Sequence, residues 1–456
     1  MSRVQPARQV ALDVLRAVEQ DDAYANLLLP QRIVRARLGA QDAGLATELT
    51  YGTLRLRGYY DRVIALAARR GTDAIDPALL DVLRLGTHQL LSTRVAVHAA
   101  VDESVELARQ VGSRSGTGFV NGVLRTISRS TPDEWRARVL AGTTGDDDRL
   151  AAEWSHPAWV VRAFRRSLAA EGREDELVDL LSADNDAPKV SLVALPGLAE
   201  VSELGAPSGR LSPLAATSGG GDPAQQTAVR EGRARVQDEG SQLAALLLSR
   251  HRPAESGERW LDMCAGPGGK AALLGAEAAR AGAHLVANEL VPARAGLVRQ
   301  ALEAVPGDVE VLEGDATRFG AEQPGGFDRI LLDAPCTGLG ALRRRPEARW
   351  RKQPADVGQL TALQSRLFAS ALDALAPGGV LAYVTCSPHT AETRGVVEAG
   401  LRGRDDDLVL LDATAGVERI AGRSVDLASA PFVQLWPHRH GTDAMFVALI
   451  EKRAGR

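Results

Sequence analysis

The chain has 456 residues, of which 45% are hydrophobic and 25% charged, with a formal net charge of −4. That length suggests roughly two or three domains, and the composition is that of an ordinary globular protein. No apolar run is long enough to span a bilayer, and the overall charge does not advertise a nucleic-acid ligand, so any basic surface must be local.

The opening segment, MSRVQPARQV, lacks the apolar core of a secretory signal, which predicts a cytoplasmic protein. Residues 1 to about 130 read as helix throughout. Apolar residues fall at helical spacing, as in Val10, Val14, Val18 and Val101, Val105, Ala108, and roughly six or seven helices fit there as a bundle. Residues 131–240 are mixed. A helical stretch near 156–182 precedes a strand-like run at 190–195 and a loop-rich segment with Gly219, Gly220 and Gly221. From Ser241 the pattern becomes regular, with strand candidates at 259–263, 284–289, 309–312, 327–333 and 380–385, helices between most of them, and a last strand candidate at 444–450. Alternating strands and helices predict a parallel sheet covered on both faces, with ligands beyond the carboxyl ends of the strands. The expected organisation is an all-α bundle over 1–135, a small α+β connecting domain over 136–240, and a Rossmann-like α/β domain over 241–456.

The segment Leu261-Asp-Met-Cys264-Ala265-Gly266-Pro267-Gly268-Gly269-Lys270 follows a strand and opens a helix. Its glycines let the backbone turn tightly and approach a ligand, with helix-start N–H groups facing it. Ala271 stands where a phosphate-binding loop would need Ser or Thr, so phosphate cradling is disfavoured. Acids close the next three strands. Glu289 is placed to accept from ribose hydroxyls, Asp315 to meet an adenine amino group, and Asp333 ends the fourth strand. Any one of these acids alone is as readily a solvated turn residue. Three in succession after a glycine-rich turn favour a nucleoside cofactor.

There are only three cysteines, Cys264, Cys336 and Cys386. That number and spacing argue against a disulfide framework and against a structural zinc site, so no metal is expected. Cys336 and Cys386 each follow a strand, where such folds place chemistry; the alternative for each is a small buried hydrophobe. Two thiols and a carboxyl suffice for methylation of carbon 5 of a cytosine. A thiolate adds at carbon 6 and activates carbon 5, an acid near ring nitrogen 3 stabilises the adduct, and a base removes the carbon 5 proton.

The segments CAGPGGK, LDAPCTGLGALRRRPEARW and VTCS resemble the motifs of the bacterial ribosomal RNA cytosine-C5 methyltransferases of the RsmB (Sun or Fmu) type. Leu435-Trp-Pro-His-Arg-His-Gly441 is similar to that family's closing motif. Tyr51-Gly-Thr, Leu83-Arg-Leu-Gly-Thr-His-Gln-Leu90 and Phe119-Val-Asn-Gly-Val-Leu-Arg125 resemble its NusB-like RNA-binding domain. The resemblance implies Cys386 as nucleophile, Cys336 as the thiol that assists release, and Asp333 in contact with methyl donor and base. It implies S-adenosylmethionine held by Cys264 to Lys270, with Glu289 and Asp315 on its ribose and adenine; Cys264 itself is read as packing. The family's Ala-Pro in the cofactor turn is Gly266-Pro267 here, and its Arg-Val-Asn strand is replaced by Lys189-Val-Ser, which puts RNA contacts by that strand in doubt.

The expected substrate is 16S ribosomal RNA, the expected state a monomer, and no membrane is implied. Transfer RNA is the nearest competing substrate, and a non-catalytic NusB-like assembly factor is the reading from another class. A DNA-type mechanism would use Cys336 as nucleophile and leave Cys386 unexplained. Arg343, Arg344, Arg345, Arg349, Arg351 and Lys352 form a basic cluster suited to phosphates, or else a solvated loop. Trp350 is open to base stacking or to core packing, His438 and His440 to the site or to loop packing. Arg55, Arg57, Arg69 and Arg70 are candidates for a second phosphate face, and His88 reads as a core residue.

Overall fold

A computed structural model describes residues 4–112, 114–404 and 406–454. Contacts divide the chain into two compact units. The first comprises Met1–Arg162, Leu181–Ala187 and Leu342–Lys352, the second Ala163–Leu180, Pro188–Ala341 and Gln353–Arg456. This differs from the three contiguous segments expected from sequence, because short stretches far along the chain are built into the first unit.

The first unit is helical. Among the described residues, seven α-helices run from Pro6–Gln20 to Arg114–Ile127, followed by Pro132–Ala141 and Asp146–Glu153. The helix Pro77–Ser92 is its axis. Asp76 caps it by accepting from Ala78 and Leu79 N–H groups, and Pro77 sets the first turn. Leu79, Leu80, Val82, Leu83 and Leu85 are all buried, so apolar residues cover more than one face, as a central helix requires. His88 lies in this core, with Nδ1 2.9 Å from the Tyr60 hydroxyl. A Cβ at Gly52 would come within 2.2 Å of its ring.

The segment Leu342–Lys352 belongs to this unit, with Arg343 and Arg349 buried, Arg344, Arg351 and Lys352 half-buried and Arg345 exposed. Arg349 is fully buried. Its guanidinium donates to the carbonyls of Arg55 (3.1 Å), Ser155 (2.9 Å) and Asp184 (3.2 Å) and to Asn185 Oδ1 (2.9 Å). Arg351 donates to the carbonyls of Val18 and Ala23 and stacks on Tyr24. Trp350 packs on Gly58, where a Cβ would meet its ring at 2.3 Å. A long cation with several donors can satisfy carbonyls left at helix ends, and that need claims these side chains. The proposed second face is dispersed likewise. Arg55 is buried, Arg57 pairs with Glu19, and Arg70 lies over Phe119.

The second unit contains two sheets. The small one is antiparallel, with β1 (Ser191–Ala194) flanked by β2 (Ala215–Thr217) and β3 (Ala234–Val236). The large one comprises β4 (Arg259–Asp262), β5 (His284–Asn288), β6 (Val309–Leu312), β7 (Phe327–Asp333), β8 (Leu375–Thr385), β9 (Leu408–Leu411), β10 (Val433–Gln434) and β11 (Phe446–Lys452). Its order is β10-β11-β8-β7-β4-β5-β6, with β9 also on β11. The pairs among β4 to β8 are parallel. β11 is reversed against β8, which modifies the all-parallel expectation. Side chains alternate between two cores. Leu331, Val380, Ala382 and Val384 face one, with the helices Glu239–Ser249 and Gly269–Ala281. Ile330, Leu332, Leu381 and Tyr383 face the other, with Pro354–Ala374. Both faces are covered, which is why these strands read as nearly continuous apolar runs.

Candidate active site

The carboxyl ends of β4, β5, β7 and β8 carry the site. After β4 the chain turns through Met263–Gly268 and enters the helix Gly269–Ala281. Gly268 has φ +104°, and a Cβ there would lie 2.4 Å from that of Ala301, so glycine is required. At Gly266 a Cβ would meet Glu289 Oε2 at 2.2 Å. Glu289, at the end of β5, accepts from the Gly266 N–H (3.1 Å) and the Val291 N–H (3.0 Å), and Arg294 donates to the Gly266 carbonyl (2.6 Å). The Ala265 N–H donates to the Asn288 carbonyl, and Asn288 Nδ2 donates to the carbonyls of Met263 and Gly314. The turn is thereby stitched across neighbouring strand ends. Ala265 is buried, while Pro267 is exposed at its tip.

Asp315 caps the turn Ala316–Arg318, accepting from Thr317 N–H and Oγ1 through Oδ1. Those bonds hold its pKa below the ordinary carboxyl value, and Oδ2 remains for a ligand. Cys264 packs against the sheet core, and burial pushes its pKa well up, as suits a packing thiol.

Two features fit a polar ligand with a nucleoside end. Gln237 is buried, yet neither of its amide atoms has a hydrogen-bond partner, and Nε2 is 4.0 Å from a Cβ position on Gly269 at the helix start. Asn288 Oδ1 is likewise unpaired. Buried amides left open beside a glycine cradle are what a bound cofactor would satisfy. Neither residue stands out in the sequence, because buried amides are recognised only by what surrounds them.

Lys270 Nζ donates to Asp333 Oδ2 at 2.8 Å. Burial alone would lower the lysine pKa; the combined pull of Asp333, Cys386 and Asp262 outweighs it and raises the value. Asp262, at the end of β4, is fully buried. Burial first, then repulsion from Asp333, pushes its pKa up to about 8, so it is largely protonated at neutral pH.

Cys336 and Cys386 are half-buried thiols outside any disulfide, with sulfurs 3.5 Å apart. That is a hydrogen-bond contact, far longer than a disulfide bond. The bond from Cys386, then burial, pushes the Cys336 pKa well above its ordinary value. Either sulfur can be the donor in that contact. Behind the pair stands Glu392, a buried acid that sequence reasoning missed. It accepts from the Thr337 N–H (2.7 Å), Thr337 Oγ1 (2.5 Å), Ser387 Oγ (2.7 Å) and Gln364 Nε2 (3.3 Å).

The closing motif plays a supporting part. His440 accepts from the Trp436 N–H through Nδ1 and donates to the Asp426 carbonyl through Nε2; burial lowers its pKa to about 4. His438 pairs with Glu176. Both histidines pack this loop.

A doubly covered α/β sheet with a glycine-rich cofactor turn and strand-end acids defines an S-adenosylmethionine-dependent methyltransferase. Residues 251–451 match the family described as 16S rRNA methyltransferase RsmB/F, and residues 5–129 match the NusB family. Among relatives, the Mycobacterium tuberculosis protein Rv1407, provisionally named a methyltransferase, is 48% identical over 453 residues, 98% of this chain and 96% of the relative. The Pseudomonas putida ribosomal RNA small subunit methyltransferase B is 31% identical over 469 residues, 98% of each chain. The crystal structure of PH0851 superposes with a TM-score of 0.81 over 99% of this chain and 100% of its own, at 21% identity, which shows a shared fold. The chain belongs to the RsmB/F family of RNA methyltransferases and depends on S-adenosylmethionine.

Proposed function

We propose that the protein methylates carbon 5 of a cytosine in 16S ribosomal RNA through a covalent adduct with Cys386. The observation that carries this reading is the pair of thiols at two strand ends with sulfurs 3.5 Å apart. On this reading Cys386 attacks as the thiolate, and Lys270, whose pKa Cys386 helps to raise, supplies a positive charge that favours that form.

The Cys386 thiolate adds to carbon 6 and the electron pair moves to carbon 5. S-adenosylmethionine supplies the electrophilic methyl group. The turn Cys264, Ala265, Gly266, Pro267, Gly268, Gly269 and Lys270 would hold that cofactor, with Glu289 on its ribose, Asp315 on its adenine and Asp333 near its reactive end. Asp333, anchored by Lys270 through one oxygen, presents the other to the base and so orients it.

Adduct formation changes Cys336. Its pKa is raised first by its bond to Cys386 and then by burial and the Glu392 charge; once that sulfur is a thioether the first cause weakens while burial and Glu392 remain, so loss of the Cys336 proton is a separate step. Cys336 then releases its proton to solvent, takes the carbon 5 proton as thiolate, and the carbon 6–sulfur bond breaks back onto Cys386. The target base must leave its stack to reach the thiols. We place the protein in the cytoplasm as a monomer.

The test combines bisulfite sequencing of ribosomal and transfer RNA from a deletion strain with two variants. A lost 16S site is the expected map. Cys386→Ala abolishes methyl transfer with cofactor binding retained, and Cys336→Ala traps a covalent protein–RNA species. Normal turnover by Cys386→Ala, or an adduct formed only through Cys336, would overturn the assignment.

A further inference from the structure

We infer that Glu392 is a positioning residue that fixes the distance between the two thiols, and thereby the balance between forming the RNA adduct and releasing it. The inference rests on the covalent reading above for its consequence, and on geometry alone for its premise.

Cys336 and Cys386 stand on separate loops, after β7 and after β8. Strand pairing fixes the register only up to Asp333↔Val384. Beyond that point the backbones meet at two hydrogen bonds, Ala334 N–H to the Val384 carbonyl and Gly340 N–H to the Cys386 carbonyl, both 2.9 Å, and neither involves the residues that directly follow the cysteines. The residue after each cysteine supplies a further tie, because the Thr337 and Ser387 hydroxyls both donate to the same oxygen, Glu392 Oε2, at 2.5 and 2.7 Å. The two hydroxyls are themselves 3.1 Å apart. The other oxygen, Oε1, takes the Thr337 N–H, and Gln364 bridges from it to the Pro335 carbonyl. The Tyr383 hydroxyl, on β8, donates to the Glu392 carbonyl at 2.8 Å. One buried carboxylate thus gathers four donors drawn from both cysteine loops and from the helix Pro354–Ala374.

Burying a carboxylate costs several kcal/mol unless donors satisfy it fully. A merely apolar plug would hold the loops more cheaply. What a fully bonded carboxylate adds is directionality, since each donor has one short distance and one angle at which it bonds. That precision matters for a pair of thiols that must share a proton before the adduct forms and exchange roles after it.

A ruler that needs neither RNA nor cofactor tests the premise. Diamide removes one hydrogen from each thiol, becoming the hydrazine, as the Cys336–Cys386 disulfide forms; the rate reads how readily the sulfurs meet. Glu392→Ala is expected to slow this closure about tenfold or more, in line with the steep cost of displacements near 1 Å. Thr337→Val, which keeps the shape and loses the hydroxyl, is expected to act the same way more weakly, and Thr337→Ser to restore the wild-type rate. With RNA and S-adenosylmethionine, Glu392→Ala and Thr337→Val are expected to lower kcat with little change in KM and to raise the trapped adduct fraction. If Glu392→Ala does not fold, the two Thr337 variants decide the matter. Wild-type closure and wild-type adduct fraction in Thr337→Val would overturn the inference. Slowed closure with an unchanged adduct fraction, while Cys336→Ala does trap adduct, would overturn the link to catalysis alone. Absence of any adduct in Cys336→Ala would instead overturn the covalent reading.

Discussion

Gly340 offers a demanding test of the site geometry. Its N–H donates to the Cys386 carbonyl at 2.9 Å, and its own carbonyl accepts from the Ala444 N–H at 2.8 Å. A Cβ on this residue would lie 2.1 Å from the Ala444 carbonyl oxygen and 2.8 Å from that of Cys386, where real Cβ contacts stay above 3.0 Å. Both obstacles are backbone, so no side chain can swing aside. Gly340→Ala must therefore push the Ala444 carbonyl away by about 0.9 Å or more and the Cys386 carbonyl, which belongs to the proposed nucleophile, by about 0.2 Å or more. Overpacking of this kind costs about 1–3 kcal/mol of stability, and a displacement near 1 Å at a reacting group costs about 100-fold in rate. The expected result is a folded protein with a modestly lower unfolding midpoint, unchanged S-adenosylmethionine affinity by calorimetry, and a reduced kcat, by less than the roughly 100-fold of a full 1 Å displacement. Wild-type kcat with wild-type stability would refute the argument, because the loop would then have absorbed a methyl group that the geometry forbids.

Other outcomes follow from buried charge. Arg349→Met leaves four oxygen acceptors of the helical unit without a donor. It is expected to destabilise that unit by about 3 kcal/mol or more, read by denaturant unfolding; a change confined to the salt dependence of RNA binding would restore the phosphate-contact reading. Asp262, with its folded pKa raised to about 8, binds a proton in the folded state that the unfolded chain releases above its ordinary carboxyl pKa of about 4. Its contribution is therefore largest below that value and is lost as pH rises toward about 8. Asp262→Asn is expected to remove this decline from the stability–pH profile; a decline of the same slope in the variant would show that another group causes it.

Much of the methyltransferase half was legible in the chain. Strand positions matched closely because strands buried on both faces must be apolar, and the glycines at 266 and 268 were forced by close approach, a backbone constraint that any sequence displays directly. The two thiols at strand ends were visible for the same reason, since a parallel sheet puts its chemistry where its strands stop. The core assignment of His88 also held, an apolar helix leaving it no other place.

What the sequence could not decide was which charges are spent inside. Arg349 and Arg351 look like phosphate ligands in a row of basic residues, and packing turns them into donors for helix-end carbonyls. Glu392 looks like any loop acid, yet burial makes it the common acceptor of both cysteine loops. Asp262 sits in plain view just before the glycine-rich turn, but its protonation comes from its surroundings. Periodicity, backbone freedom and the presence of candidate reactive groups are local properties of residue types, and the chain displays them before it folds. The tertiary structure decided burial and hydrogen-bond partners, which depend on segments distant along the chain and set whether a charge meets solvent, a ligand or its own fold.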